Sequence, residues 1–282
     1  TDHNEVTYPW TRFSTLSPSA GSVKNLAANR LETDSLAYQD REPDALNMTA
    51  VQGNELSRHH HMGSYFTDHN GTQTAEESLD AVSAKDGLAV LFHPGRYKQP
   101  VEWYVALYRK YPCLVGLEVF NQGDRYPNDR KTWDAILTDL MPDRPVWGFS
   151  NDDLHSRAHL GRNWAVLLLP DRSESQVRRA MERGLFYFVH APQGHEGPPP
   201  PIIRRIVVDA ARASITLAVS GEARVEWISR GEVIHRGATL NLAQLPAVDG
   251  YVRAEVRAPE GGPVAGTQPF GIRRRTPAIP GT

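Results

Sequence analysis

The sequence predicts an α/β fold: a domain of repeated βα units followed by a smaller β-sandwich. Three observations carry this reading. From Val51 to about Val189, short apolar runs alternate with helix-like segments, the pattern of βα units around a parallel sheet. Residues 191–201, APQGHEGPPPP, hold five prolines and two glycines, which neither a helix nor a central strand accommodates. Beyond them the period becomes two, apolar alternating with polar.

In chain order, residues 11–47 are rich in Ser, Asn, Asp, Glu and Pro and read as an excursion with one or two short helices. Strands are expected at MTAVQGNEL, GLAVLFH, CLVGLEVF, PVWGFS and WAVLLL. Helices are expected at SLDAVSAK, PVEWYVALYRKY, RKTWDAILTDL and ESQVRRAMERG. The last is amphipathic, with Val177, Ala180 and Met181 on one face and Gly184 where a helix stop is common. After the proline-rich segment, IIRRIVVD, ASITLAVS, RVEWIS, EVIHRG and YVRAEVRA alternate as short antiparallel strands would. The expected division is a main domain over 1–190, a linker over 191–201, a β-sandwich over 202–272 and a tail over 273–282.

Length and composition fit this plan. A chain of 282 residues holds one barrel-sized domain or a domain with a smaller partner. Charged residues make up 23% and hydrophobic residues 40%, so the chain is globular, and a net charge of -2 gives no basic bias toward nucleic acid or acidic membranes. No run approaches the ~20 apolar residues of a membrane helix. The expected partner is a small-molecule substrate, with no nucleic acid and no membrane span. Cys113, the single cysteine, lies in the apolar run YPCLVGLEVF and reads as a buried, inert thiol.

In a parallel βα domain, functional side chains collect at the C-terminal ends of strands. Glu55, His93 and Glu118 fall at or near such ends, and Asp153 with His155 follows PVWGFS. Asp2 and His3 stand at the start of the chain. Imidazoles and carboxylates together suit zinc, manganese or iron, and a carboxylate can bridge two such ions. That mixture points to metal-assisted hydrolysis by a bound water, with no nucleophilic side chain required.

The order of these blocks resembles the PHP (polymerase and histidinol phosphatase) superfamily: TDHN at 1–4, GNE at 53–55, a His-rich turn at 59–61, HPGR at 93–96 and NDDLHS at 151–156. The resemblance covers about residues 1–189 and implies a distorted (β/α)7-like barrel holding two or three divalent ions. By position it implies metal ligands at His3, Glu55, His61, His93, Asp153 and His155, with Asp153 also catalytic. Asp2, Glu118 and Asn121 would contact neighbouring groups or substrate, and Arg96 would clamp a substrate anion. The family's H-x-H strand lies before the TDH block, so the resemblance also implies a chain that lacks its first metal-binding segment and binds metal less fully. The expected reaction is hydrolysis of a phosphoester. The alternatives are a carbamate or amide hydrolase of the same fold, or a non-catalytic binding protein with an incomplete metal site. The appended β-domain leads to the expectation of a periplasmic or secreted protein.

Overall fold

The computed structural model describes residues 47–274. The excursion expected over 11–47, apart from Asn47, and the roles expected of Asp2 and His3 lie outside the described residues. Two compact units divide the chain.

The described part of the first unit comprises 47–92, 111–114 and 168–183. Its strands are β1 (Gly53–Leu56), β2 (Met62–Tyr65) and β3 (Leu88–Leu91), and its helices are α1 (Ala75–Ala84) and, later in the chain, α4 (Glu174–Arg183). β2 pairs antiparallel with both β1 and β3. A five-residue turn, Ser57 to His61, separates β1 from β2, far too short for the crossover of a dozen or more residues that a parallel pair needs. Two glycines let these strands close up: a Cβ at Gly53 would meet the Ser64 carbonyl oxygen at 2.2 Å, and one at Gly63 would meet the Phe92 ring at 2.5 Å.

Helix α1 starts earlier than its apolar periodicity shows. Thr74 Oγ1 accepts from the Glu77 amide at 3.2 Å, and the Glu77 carboxylate accepts from the Thr74 amide at 3.2 Å, a reciprocal capping box. Helix α4 is fastened by Arg178, which donates to Asp86 at 3.0 Å and lies over the Phe66 ring. The Cys113 thiol is half-buried, with Sγ 3.7 Å from the Leu79 carbonyl oxygen.

The second unit comprises 93–110, 115–167 and, as described, 184–274. Its helices are α2 (Val101–Lys110) and α3 (Asn128–Leu140). Strand β4 (Leu114–Asn121) pairs parallel with β5 (Trp147–Asn151). Strands β6 (Asn163–Leu167) and β7 (Phe186–His190) form an antiparallel pair. The later strands are β8 (Ile202–Asp209), β9 (Ser214–Ser220), β10 (Arg224–Ser229), β11 (Glu232–Arg236), β12 (Thr239–Asn241), β13 (Gly250–Arg257), β14 (Val264–Thr267) and β15 (Phe270–Ile272).

One sheet runs β11-β10-β13-β14-β7-β6, with β15 beside β13, and a second runs β12-β9-β8. The proline-rich segment holds a single 3-10 turn, Gly194–Glu196, and the sheet is continuous in hydrogen bonding across it, because β14 pairs with β7. Strand β7, FYFVH, is buried along its whole length and shows no alternation. Trp227 is fully buried in a cluster with Ile215, Leu217, Leu240, Val252 and Val256, which draws on strands of both sheets.

A buried ion network ties α3 to β13. The Arg253 guanidinium donates to both carboxylate oxygens of Asp134 at 2.8 and 2.7 Å and to Glu255 at 2.6 Å, and Tyr251 Oη donates to Asp134 at 2.8 Å. Trp133 lies beneath the Arg253 guanidinium, 5.0 Å from ring centre to Cζ.

The fold is therefore mixed α/β with several sheets. Among the described residues no sheet closes on itself, so the expected (β/α)7-like barrel is not confirmed. The physical reason is local. Short apolar runs announce strands but not their direction, and the hairpin β1–β2 replaces the crossover that a barrel needs.

Candidate metal centre

The site is built on the ends of short strands. Glu55 sits in β1, all four residues of which are buried, and pairs across the ladder with Gly63. His61 ends the three-histidine turn, and its Nδ1 lies 2.7 Å from Glu55 Oε1. The Phe92 amide donates to the His61 carbonyl at 2.9 Å, so the chain itself delivers the next residue, His93, to the same place. Glu55, His61 and His93 each offer one ligand atom, and these atoms lie within 4.8 Å of one another. Donors sharing one tetrahedral ion at ~2.0 to 2.2 Å stand about 3.3 Å apart, so modest side-chain rotation brings this set to bonding distance. One carboxylate with two imidazoles is a donor set that zinc, manganese or iron accepts.

The other histidines of the turn are engaged differently. His59 Nε2 is 2.8 Å from Ser78 Oγ in α1. Burial holds both His59 and His60 below the usual imidazole range.

His93 is mounted with care. Its backbone is left-handed, φ +32°, a region that few side chains tolerate and that His enters more readily than most. Three bonds fix the turn around it. The His93 amide donates to Glu118 Oε2 at 2.7 Å, the Gly95 amide donates to Asp129 Oδ1 at 2.6 Å, and Tyr104 Oη donates to the Pro94 carbonyl at 2.9 Å. A Cβ at Gly95 would stand 2.7 Å from Asp129 Oδ1 and would push that carboxylate away from the turn. The His93 ring packs near Tyr97 and Tyr126, with centroids 5.7 and 5.3 Å away.

Glu118 is the anchor of this arrangement. Besides the His93 amide it accepts from Asn121 Nδ2 at 3.0 Å and from Asn151 Nδ2 at 2.7 Å. Burial pushes its carboxyl well above the ordinary range, and the donors from Asn151 and His93 oppose that shift. Asp129 is also fully buried, and burial pushes its carboxyl up to about 7. Sequence reading singled out neither Asn151 nor Asp129. Asp129 lies in the first turn of α3, where an acid ordinarily suits the helix dipole, and only the folded chain aims it at Gly95.

After β5 the two adjacent aspartates part company. Asp152 accepts from the backbone amides of Gly161, Arg162 and Asn163 at 2.6, 2.8 and 2.7 Å, so it clasps the loop. Asp153 has a left-handed backbone, φ +45°, and its Oδ1 lies 3.2 Å from His155 Nδ1. Gln122 Nε2 donates to the Asp153 carbonyl at 3.2 Å, which ties this pair to the end of β4. Asp153 and His155 stand beside each other and outside the Glu55, His61, His93 group. Arg96 is exposed, its guanidinium 5.6 Å from the Tyr97 ring centre.

No protein-family profile matches the chain, and no curated protein matches it. Among solved structures, the chain is similar to a two-domain protein containing predicted PHP-like metal-dependent phosphoesterase from Bacteroides vulgatus ATCC 8482. The two are 16% identical, the match covers 84% of this chain and 78% of that one, and the TM-score is 0.46.

Proposed function

We propose that the chain is a metal-dependent hydrolase that acts on a phosphoester. The observation that carries this reading is the convergence of Glu55, His61 and His93, residues scattered over three sequence blocks, on one point. The order of those blocks, and the D-x-H pair at the end of β5, support the PHP-type reading and two or three bound ions. Asp153 and His155 would complete the ligand set, joined by His3, which lies outside the described residues; Asp2 would orient its neighbours, and Asn121 would steady Glu118. A bound divalent ion would supply a water acidic enough to be hydroxide near neutral pH and would polarise the scissile group. The protein's own share is to hold the donors: Glu118 and Asp129 fix the turn that presents His93, and Gln122 fixes the backbone that presents Asp153.

The test is elemental analysis of the purified protein together with a panel of phosphoesters and neutral aryl carbamates. His93→Ala should lower bound metal and activity together, and a variant that keeps both would overturn the assignment of this residue. Arg96→Ala should reduce kcat/KM for a phosphoester by about ten- to a hundredfold, the scale of losing one charge-assisted anion contact. Unchanged phosphoester kinetics with better turnover of carbamates would move the scissile bond to a neutral carbonyl.

A further inference from the structure

Arg162 is a cation that the fold leaves unanswered. Its side chain makes no hydrogen bond and no ion pair among the described residues, and its Nε is buried. A buried guanidinium nitrogen without a partner is costly, and such groups call for a specific explanation. Asp152, which bonds the Arg162 backbone, and Asp124, the residue after Gly123, are already committed. Asp124 holds Arg130 through two bonds, at 2.7 and 2.9 Å, and Asp152 spends its oxygens on three backbone amides, that of Arg162 included.

Two glycines border the Arg162 side chain. Gly123 and Gly194 both have left-handed backbones, φ +81° and +58°. A Cβ at Gly123 would stand 3.6 Å from Arg162 Nη1, and one at Gly194 would stand 3.5 Å from Arg162 Cγ. Gly123 follows Gln122, the residue that bonds the Asp153 carbonyl, so Arg162 borders the same turn as the D-x-H pair. Its charge is also felt by His190, a buried ring stacked on Phe120 at 4.4 Å and held at about 4 chiefly by burial. His190 is therefore neutral at physiological pH and does not add to the positive charge.

We infer that Arg162 binds a phosphate oxyanion at the end of β4, as a substrate-positioning residue of the hydrolase proposed above. It differs from Arg96, which is exposed and lies near Tyr97, in carrying a partly desolvated guanidinium on a backbone held by bonds to Asp152 and Ala191. The inference rests on the hydrolase reading for its substrate but not for its anion.

The experiment uses the full chain and inorganic phosphate as probe. Phosphate affinity is measured by calorimetry on wild type and Arg162→Met, with metal content read in parallel. Binding weakened tenfold or more in the variant, at unchanged metal content, supports the site. Equal affinity in both proteins, or no phosphate binding by the wild type, overturns it. Should Arg162→Met fail to fold, phenylglyoxal modification of the wild type, mapped by peptide mass with and without phosphate, decides the matter. Protection of Arg162 supports the site and unhindered modification overturns it. Wild-type protein that binds no metal would sink the hydrolase reading, whereas the protection of Arg162 is read independently of it.

Discussion

Arg253→Met should lower the free energy of unfolding by about 3 to 5 kcal/mol, measured by urea denaturation at neutral pH. Arg253 is almost completely buried and donates to Asp134 through two nitrogens and to Glu255 through a third. Removing the guanidinium strands two carboxylates that are themselves buried, and the cost is their desolvation without compensation. Tyr251 would still donate to Asp134, and Arg257 would still pair with Glu255, so the loss falls short of two bare charges. Replacing all three of Asp134, Arg253 and Glu255 with apolar residues of similar volume should be milder than the single change, because no charge is then left behind. A single variant as stable as the wild type would mean that the network contributes nothing and that water reaches it.

Glu118→Gln should weaken metal binding by about ten- to a hundredfold, the range seen when a group behind a ligand is changed. Three donors converge on this carboxylate: the His93 amide, Asn121 Nδ2 and Asn151 Nδ2. An amide has only one accepting oxygen, so its NH2 must face at least one of those donors. The turn would shift, and His93 with it. Metal titration followed by calorimetry reads the effect, and circular dichroism shows whether the fold survives. Wild-type affinity in a folded variant would show that Glu118 does not position His93.

What could be read in the sequence follows from the range of the interactions involved. Glu55 and His93 stand out because a polar residue that ends an apolar run is a local pattern. His61 could be separated from His59 and His60 only through the family resemblance, since three consecutive imidazoles look alike until Ser78 occupies one of them. Asn151 and Asp129 carry no local signal, and Arg162 has only its place beside the NDDLHS block, where a surface ion pair reads equally well. Their roles come from partners far along the chain, and the same residues on a surface would look identical. Strands β2 and β7 were not visible for opposite reasons. The first is four residues long beside a polar turn, and the second is a five-residue apolar run that lacks a period and closely follows the helix pattern of ESQVRRAMERG. A barrel depends on strand direction, which hydrophobic pattern does not encode.

The pairing of β14 with β7 also governs how the chain must be made. Strand β7 leaves the ribosome with β6 on one side, but its other neighbour, β14, is separated from it by the whole of β8 to β13. Until Thr267 has emerged, a five-residue strand that is buried in the finished fold keeps an open row of amides and carbonyls. Nascent chains stalled before that point expose an edge suited to pairing with other chains, and loop closure over so many residues is slow. Strand β14 thus acts as a seal on synthesis: the open edge of β7 is covered only once Val264–Thr267 has been delivered.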